Sequence, residues 1–275
     1  MKKGLIGLLA LFLMAALPSP AAGTDEVLPR TILGIFGGMG PEATANLYQT
    51  IVEITPASQD QDHIPTLIFS FPQIPDRTTA IRTGDRSIVP YLVEGVRLLE
   101  KAGATFIAIP CNTAHYYYDD MQKAVRIPII HMIREAAVET LKRHPGIKTV
   151  GLLATSGTIA SGLYEKEFRD RGVAVLVPDE GQESGLVMRS IGLIKARRDR
   201  ELCRDLLGQA GRDLVRRGAQ VVVLGCTEIP LAFDPATVDV PVVNASLVLA
   251  EAALRLYQEQ VRERAPADLT VHLKS

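Results

Sequence analysis

Short apolar runs alternate with longer amphipathic stretches along most of this chain. Runs over residues 32–36, 66–71, 105–109, 149–153, 173–177 and 221–224 are rich in Ile, Val, Leu and Phe and are bounded by Gly, Pro or polar residues. Their length and β-branched content predict strands buried on both faces, as in parallel sheets. Residues 41–54, 87–102, 180–195 and 198–217 carry apolar positions at helical spacing, and 129–143 reads as a strand running into a helix. Strand–helix alternation of this kind predicts an α/β fold.

The pattern occurs twice. Lys101-Ala-Gly-Ala-Thr-Phe-Ile-Ala-Ile-Pro-Cys111-Asn-Thr and Arg216-Arg-Gly-Ala-Gln-Val-Val-Val-Leu-Gly-Cys226-Thr-Glu share a helix end, a Gly-Ala turn, a short strand and a cysteine followed by polar residues. Gly103 and Gly218, like Cys111 and Cys226, are 115 positions apart. Gly34 matches Gly151 at an offset of 117, and the segment from Arg126 matches that from Asp239 at 113. Such self-similarity predicts two pseudo-symmetric Rossmann-like lobes with parallel sheets and an active site in the cleft between them. The expected division is 31–128 for the first lobe, joined by a C-terminal helix over 244–264, and 129–243 for the second. Each lobe then offers one thiol at the C-terminal end of a strand, where open α/β sheets place their ligands.

Composition narrows the picture. At 275 residues, 47% hydrophobic and 22% charged, the chain suits a globular protein of one or two domains. Residues 1–23 combine the basic Lys2 and Lys3, an apolar run over 5–17 and small-residue cleavage candidates around Ala21. They read as a secretory signal peptide, so a periplasmic or secreted protein without stable membrane association is expected. Net charge is −1, or −3 without Lys2 and Lys3, and no basic block points to nucleic acid. No His/Cys cluster has metal-ligand spacing, so no metal is expected.

Export makes a Cys111–Cys226 disulfide one reading of the pair. The polar neighbours Asn112, Thr113, Thr227 and Glu228 favour chemistry instead. Two acid–base groups on opposite sides of a small substrate suit removal of a proton from one face of a carbon and delivery to the other. Cys203 falls in a helical pattern and is expected to be half-buried and inert. Gly38, Gly40 and Ala43 fit G-x-G-x-x-A, but the acid required after a second strand is missing. The Gly37–Pro41 loop is therefore expected to hold a carboxylate on free N–H groups, with Met39 and Gly40 at the cleft. Residues 154–158, with three hydroxyls and a glycine before a helix, form a second anion-friendly turn. Arg77 is expected in a loop at a strand end as an anion-binding group. His63 is read as a loop residue, and His115 as structural.

Five motifs in order, Gly37-Gly-Met-Gly-Pro, Pro75-Asp-Arg77-Thr, Pro110-Cys-Asn-Thr-Ala-His115, Leu153-Ala-Thr-Ser-Gly-Thr158 and Gly225-Cys-Thr-Glu-Ile229, resemble the aspartate racemase branch of the aspartate/glutamate racemase superfamily. The resemblance implies cofactor-independent interconversion of L- and D-aspartate, with Cys111 and Cys226 as the two bases and an amino acid as the partner molecule. It implies that Asn112, Thr113, Thr155 and Thr158 hold the α-carboxylate and amino group, and that Arg77 and Lys195 meet the side-chain carboxylate. Glu228 stands where the glutamate racemase branch has histidine, which favours aspartate. A homodimer is the expected assembly. Two other classes stay open: a periplasmic solute-binding protein, and a sister enzyme such as a hydantoin racemase, maleate isomerase or decarboxylase.

Overall fold

The computed structural model describes residues 29–264, so the leader reading of residues 1–23 lies outside the described residues. Two all-parallel sheets form the frame. In the first, β1 (Leu33–Gly37) lies between β2 (Thr66–Ser70) and β3 (Phe106–Ala108). In the second, β4 (Thr149–Ala154) lies between β5 (Ala174–Leu176) and β6 (Val221–Gly225), with β7 (Val242–Asn244) beyond β6. Ile129 makes a parallel bridge to Ile107, a rudimentary counterpart of β7 in the first sheet.

Strand pairing reproduces the three offsets of the sequence repeat. Gly34 pairs with Ile107, and Gly151 with Val222. Ile107 bridges Ile129, and Val222 pairs with Val242. A side chain at Gly34 would press against Ala104 and Leu99 at 3.0 and 3.2 Å, and one at Gly151 against Ala219 and Leu214, both at 3.0 Å. These contacts are again 115 residues apart, so each central-strand glycine is dictated by the helix packed across it. Gly103 and Gly218 both adopt φ of +102°, which L side chains rarely tolerate, and so turn each helix into the next strand.

The helices are α1 (Pro41–Ile54), α2 (Arg77–Thr83), α3 (Val89–Lys101), α4 (Tyr118–Ala124), α5 (Met132–Arg143), α6 (Ser156–Ala160), α7 (Leu163–Arg169), α8 (Glu180–Gln182), α9 (Arg189–Lys195), α10 (Arg200–Arg216) and α11 (Ala245–Arg264). None among the described residues is long and apolar enough to cross a membrane. Alternate strand residues face different cores. Leu33, Ile35 and Phe106 of the first sheet and Val150, Leu152, Val221 and Val223 of the second share a middle core with α1, α5 and α11. Phe36 and Ile107 face an outer core with α3, while Leu153, Val222 and Leu224 face another with α10. Each such Leu, Ile, Val or Phe contributes roughly 1.5–3 kcal/mol by leaving water.

Three expectations need correction. Arg77 is not in a loop but is the first residue of α2, whose N-cap Asp76 accepts from the Thr79 N–H. Seven residues are too few to show a helical period, and Pro72 and Pro75 masked the start. The helix predicted over 180–195 is interrupted by a π-helical stretch at Glu183–Met188. Cys203 is fully buried in α10, its thiol 3.6 Å from the Ser190 carbonyl oxygen, rather than half-exposed.

Candidate active site

The loops that follow β1, β3, β4 and β6 converge on a narrow pocket of about 20 Å³. Met39 enters from the first, Cys111, Asn112 and Thr113 from the second, Thr155 from the third, and Cys226, Thr227 and Glu228 from the fourth. Arg77 comes from the start of α2 and Lys195 from the end of α9. Gly40 lines an adjoining pocket, and Thr158 stands behind Thr155. Sequence reasoning did not single out Asp76, Thr78 or Thr227 as site residues; all three line the pocket beside residues it did name.

Both thiols are free and nearly enclosed, Cys111 5% and Cys226 4% exposed. The loops that carry them meet across the lobes, with the Thr227 hydroxyl 3.4 Å from the Pro110 carbonyl oxygen. His115 anchors the Cys111 loop. The Met132 N–H donates to His115 Nε2 at 3.1 Å, so Nδ1 carries the proton and donates to the Cys111 carbonyl at 2.9 Å. Burial holds this imidazole below its ordinary pKa, keeping the neutral form that the arrangement needs.

A place before a turn does not acidify Cys226. Burial, then the Glu228 charge, pushes its pKa well up, so it rests as a thiol. Its Sγ donates to Glu228 Oε2 at 3.1 Å. The other carboxylate oxygen, Oε1, is buried without a partner among the described residues, and a Cβ at Gly40 would come within 3.0 Å of it. Glu228→Gln removes the charge that disfavours the thiolate. Alkylation of Cys226 by iodoacetamide at pH 7.5 should then speed up several-fold, read by peptide mass mapping. An unchanged or slower rate would contradict this account.

Two backbone N–H groups in the expected anion-holding turns already have partners. The Gly38 N–H is taken by Thr44 Oγ1 at 2.9 Å, and the Thr158 N–H by the capping Thr155 Oγ1 at 3.1 Å. Side chains add polar groups beside these turns. Hydroxyls of Thr113, Thr155 and Thr158 form a buried triangle with all three sides 2.9 Å, joining the lobes. The Asn112 Nδ2 group is buried with no partner among the described residues.

Arg77 is held by its own loop. Nη1 donates to the Ile74 and Pro75 carbonyls at 3.2 and 3.0 Å, and Nη2 reaches the Met39 carbonyl at 3.5 Å. Nε is buried and unpartnered, so the Nε–Nη2 edge keeps donors for a carboxylate. Burial works to raise the neighbouring Asp76 carboxyl, but hydrogen bonds from Thr79 and the charges of Arg77 and Lys195 bring it below the usual range. Arg77, Asp76, Lys195 and Glu228 also line the adjoining vestibule of about 310 Å³, with Gly40 and Ile74. Beside it the Glu42–Arg200 ion pair, 2.7 Å, joins the N-termini of α1 and α10.

Residues 36–253 match the Asp/Glu/Hydantoin racemase family. This chain belongs to that family. The broad specificity amino-acid racemase RacX of Bacillus subtilis is 30% identical over 231 residues, covering 82% of this chain and 98% of RacX. An aspartate racemase of Picrophilus torridus superposes with a TM-score of 0.74 at 31% identity, covering 83% of this chain and 94% of the other. An aspartate racemase homologue of Pyrococcus horikoshii gives 0.65 at 28% identity, covering 84% and 100%. The two-lobed parallel α/β architecture is thus that of a racemase of this family. Among family members acting on amino acids, the side chain of the substrate is what the remaining geometry must decide.

Proposed function

We propose that this protein is a cofactor-independent, two-base amino-acid racemase that prefers aspartate. The observation that carries the reading is the meeting of the Cys111 and Cys226 loops, one from each repeat, around one small pocket. One thiolate removes the α-proton, and the opposite thiol protonates the other face of the carbon. The charge that develops spreads into the α-carboxylate, where the Asn112 amide and the Thr hydroxyls are placed to steady it. Incubation with L-aspartate in D₂O tests the reading by mass spectrometry and chiral chromatography. Deuterated D-aspartate should accumulate. Binding without α-proton exchange would favour the solute-binding alternative, for which the leader-like residues 1–23 also suit an exported protein.

The free edge of Arg77 supports a dicarboxylic substrate, because a guanidinium holds a carboxylate through two parallel N–H bonds. Arg77→Leu should raise KM for aspartate at least tenfold while changing that for alanine less than threefold. Equal loss on both substrates would point to disruption of the α2 loop rather than to side-chain recognition.

The vestibule favours a second reading. It opens from the side-chain end of the pocket, and its walls mix Arg77 and Lys195 with Asp76 and Glu228. Such a space accommodates side chains longer than that of aspartate, in keeping with the breadth named for RacX. A panel of amino acids in the same exchange assay separates the two readings.

A further inference from the structure

Asn112 matters to the proposed chemistry only if its amide presents NH₂, not oxygen, to the cleft. An oxygen there would repel a carboxylate. Nothing in the Cys111 loop fixes that choice. The group that does lies in the other lobe. Tyr164, on α7, is 1% exposed and reaches across to Asn112 Oδ1 with its hydroxyl at 2.7 Å. We propose that Tyr164 is a positioning residue, which locks the Asn112 amide so that its NH₂ donates to the α-carboxylate of the substrate; this rests on the racemase reading above.

The donor and acceptor inventory supports the direction. A neutral phenol has one proton to give, and an asparagine has one acceptor oxygen and two N–H donors. Among the described residues Asn112 is the hydrogen-bond partner of the Tyr164 hydroxyl. Rotating the amide by 180° would leave that buried phenolic proton without its acceptor and turn the oxygen into the pocket. Burial keeps the phenol protonated far above neutral pH, so the donor is always present. The ring cannot drift, because it packs at the Cys226 loop; a Cβ at Gly225 would lie 3.0 Å from Tyr164 Cε2. A purely structural tie would satisfy both ends of the amide. Here Oδ1 is bonded while Nδ2 is buried, unpartnered and at the pocket, which is the arrangement expected of a donor waiting for a ligand.

The test is a double-mutant cycle on aspartate racemisation with Tyr164→Phe and Asn112→Ala. Tyr164→Phe removes one oxygen and keeps the ring. It should raise KM for aspartate about tenfold and lower kcat less, with little change in melting temperature, since a hydrogen bond that orients a charged contact is worth about that factor. In the Asn112→Ala background the same change should alter kcat/KM less than twofold, because the group it positions is gone. Equal fold losses in both backgrounds, or an unchanged KM in the single variant, would overturn the proposal. Should Tyr164→Phe not fold, or the parent not racemise, the ¹⁵N-labelled side-chain amide of Asn112 gives a second readout in the parent protein. Its protons should shift and exchange more slowly when aspartate is added, and an amide unmoved by saturating aspartate would also overturn the proposal.

Discussion

Cys111→Ala and Cys226→Ala should each lower racemisation of aspartate by roughly 10²–10⁴-fold, the usual worth of one general acid–base group. The more telling result concerns what survives. With one thiol left, the proton can still be removed and returned on one face of the α-carbon. Each variant should therefore exchange the α-proton of one enantiomer with solvent deuterium, and the two variants should act on opposite enantiomers. Melting temperatures should fall only modestly, because each thiol sits at the edge of a hydrophobic cluster where it also lines the pocket, and alanine removes a single buried sulfur. If both variants exchanged the same enantiomer, or if either continued to racemise at the parental rate, the assignment of one thiol to each face would be wrong.

Gly157→Ala should lower kcat/KM by about 10–100-fold without unfolding the protein. Gly157 sits in the first turn of α6 with helical backbone, so alanine brings no strain of its own and improves local helix propensity. The obstacle is on the other lobe. A Cβ at Gly157 would lie 2.7 Å from Thr78 Cα, 2.8 Å from Thr78 Oγ1 and 3.0 Å from Thr113 Cγ2. Backbone at Thr78 cannot swing aside as a side chain can, so α2 and α6 must separate. Thr78 follows Arg77, and Thr113 follows Asn112 and belongs to the hydroxyl triangle. Displacement on the order of 1 Å at reacting groups can cost about 10²-fold. Gly192→Ala, in a helix where the new methyl meets nothing within 4 Å, is the control and should behave like the parent. Full activity in Gly157→Ala would show that the lobes need not approach this closely for turnover.

The two-lobed α/β architecture was legible because duplication wrote it twice. The offsets 117, 115 and 113 belong to three strand positions, joined by the same two pairings in each sheet. Motif-bearing loops at strand ends were legible for the same reason, since Cys111 and Cys226 mark equivalent positions in the two repeats. The short helix beginning at Arg77 was hidden, because its start depends on a side-chain cap from Asp76 rather than on periodicity. The electrostatics of Cys226 were not readable either. Burial and the bent-back Glu228 carboxylate, which raise the thiol, follow from packing across the loop that no local pattern records. Tyr164 was invisible for a different reason. Its partner is 52 residues away in the opposite lobe, and among seven tyrosines nothing local distinguishes it.

The middle core draws on both ends of the described chain. Leu47 and Ile51 of α1 share it with Val248, Leu249 and Ala252 of α11. During synthesis, α1 and α5 follow the strands of the first sheet closely, but the part of this core that α11 fills stays open until that helix emerges, about 140 residues after β3. Contacts of such long sequence separation form late, because the loop-closure entropy must be met before they stabilise anything. The repeat that makes the two lobes look independent is thus no guide to how they fold. Neither lobe can finish without α11, and the nascent chain keeps apolar surface uncovered until that last described helix has been made.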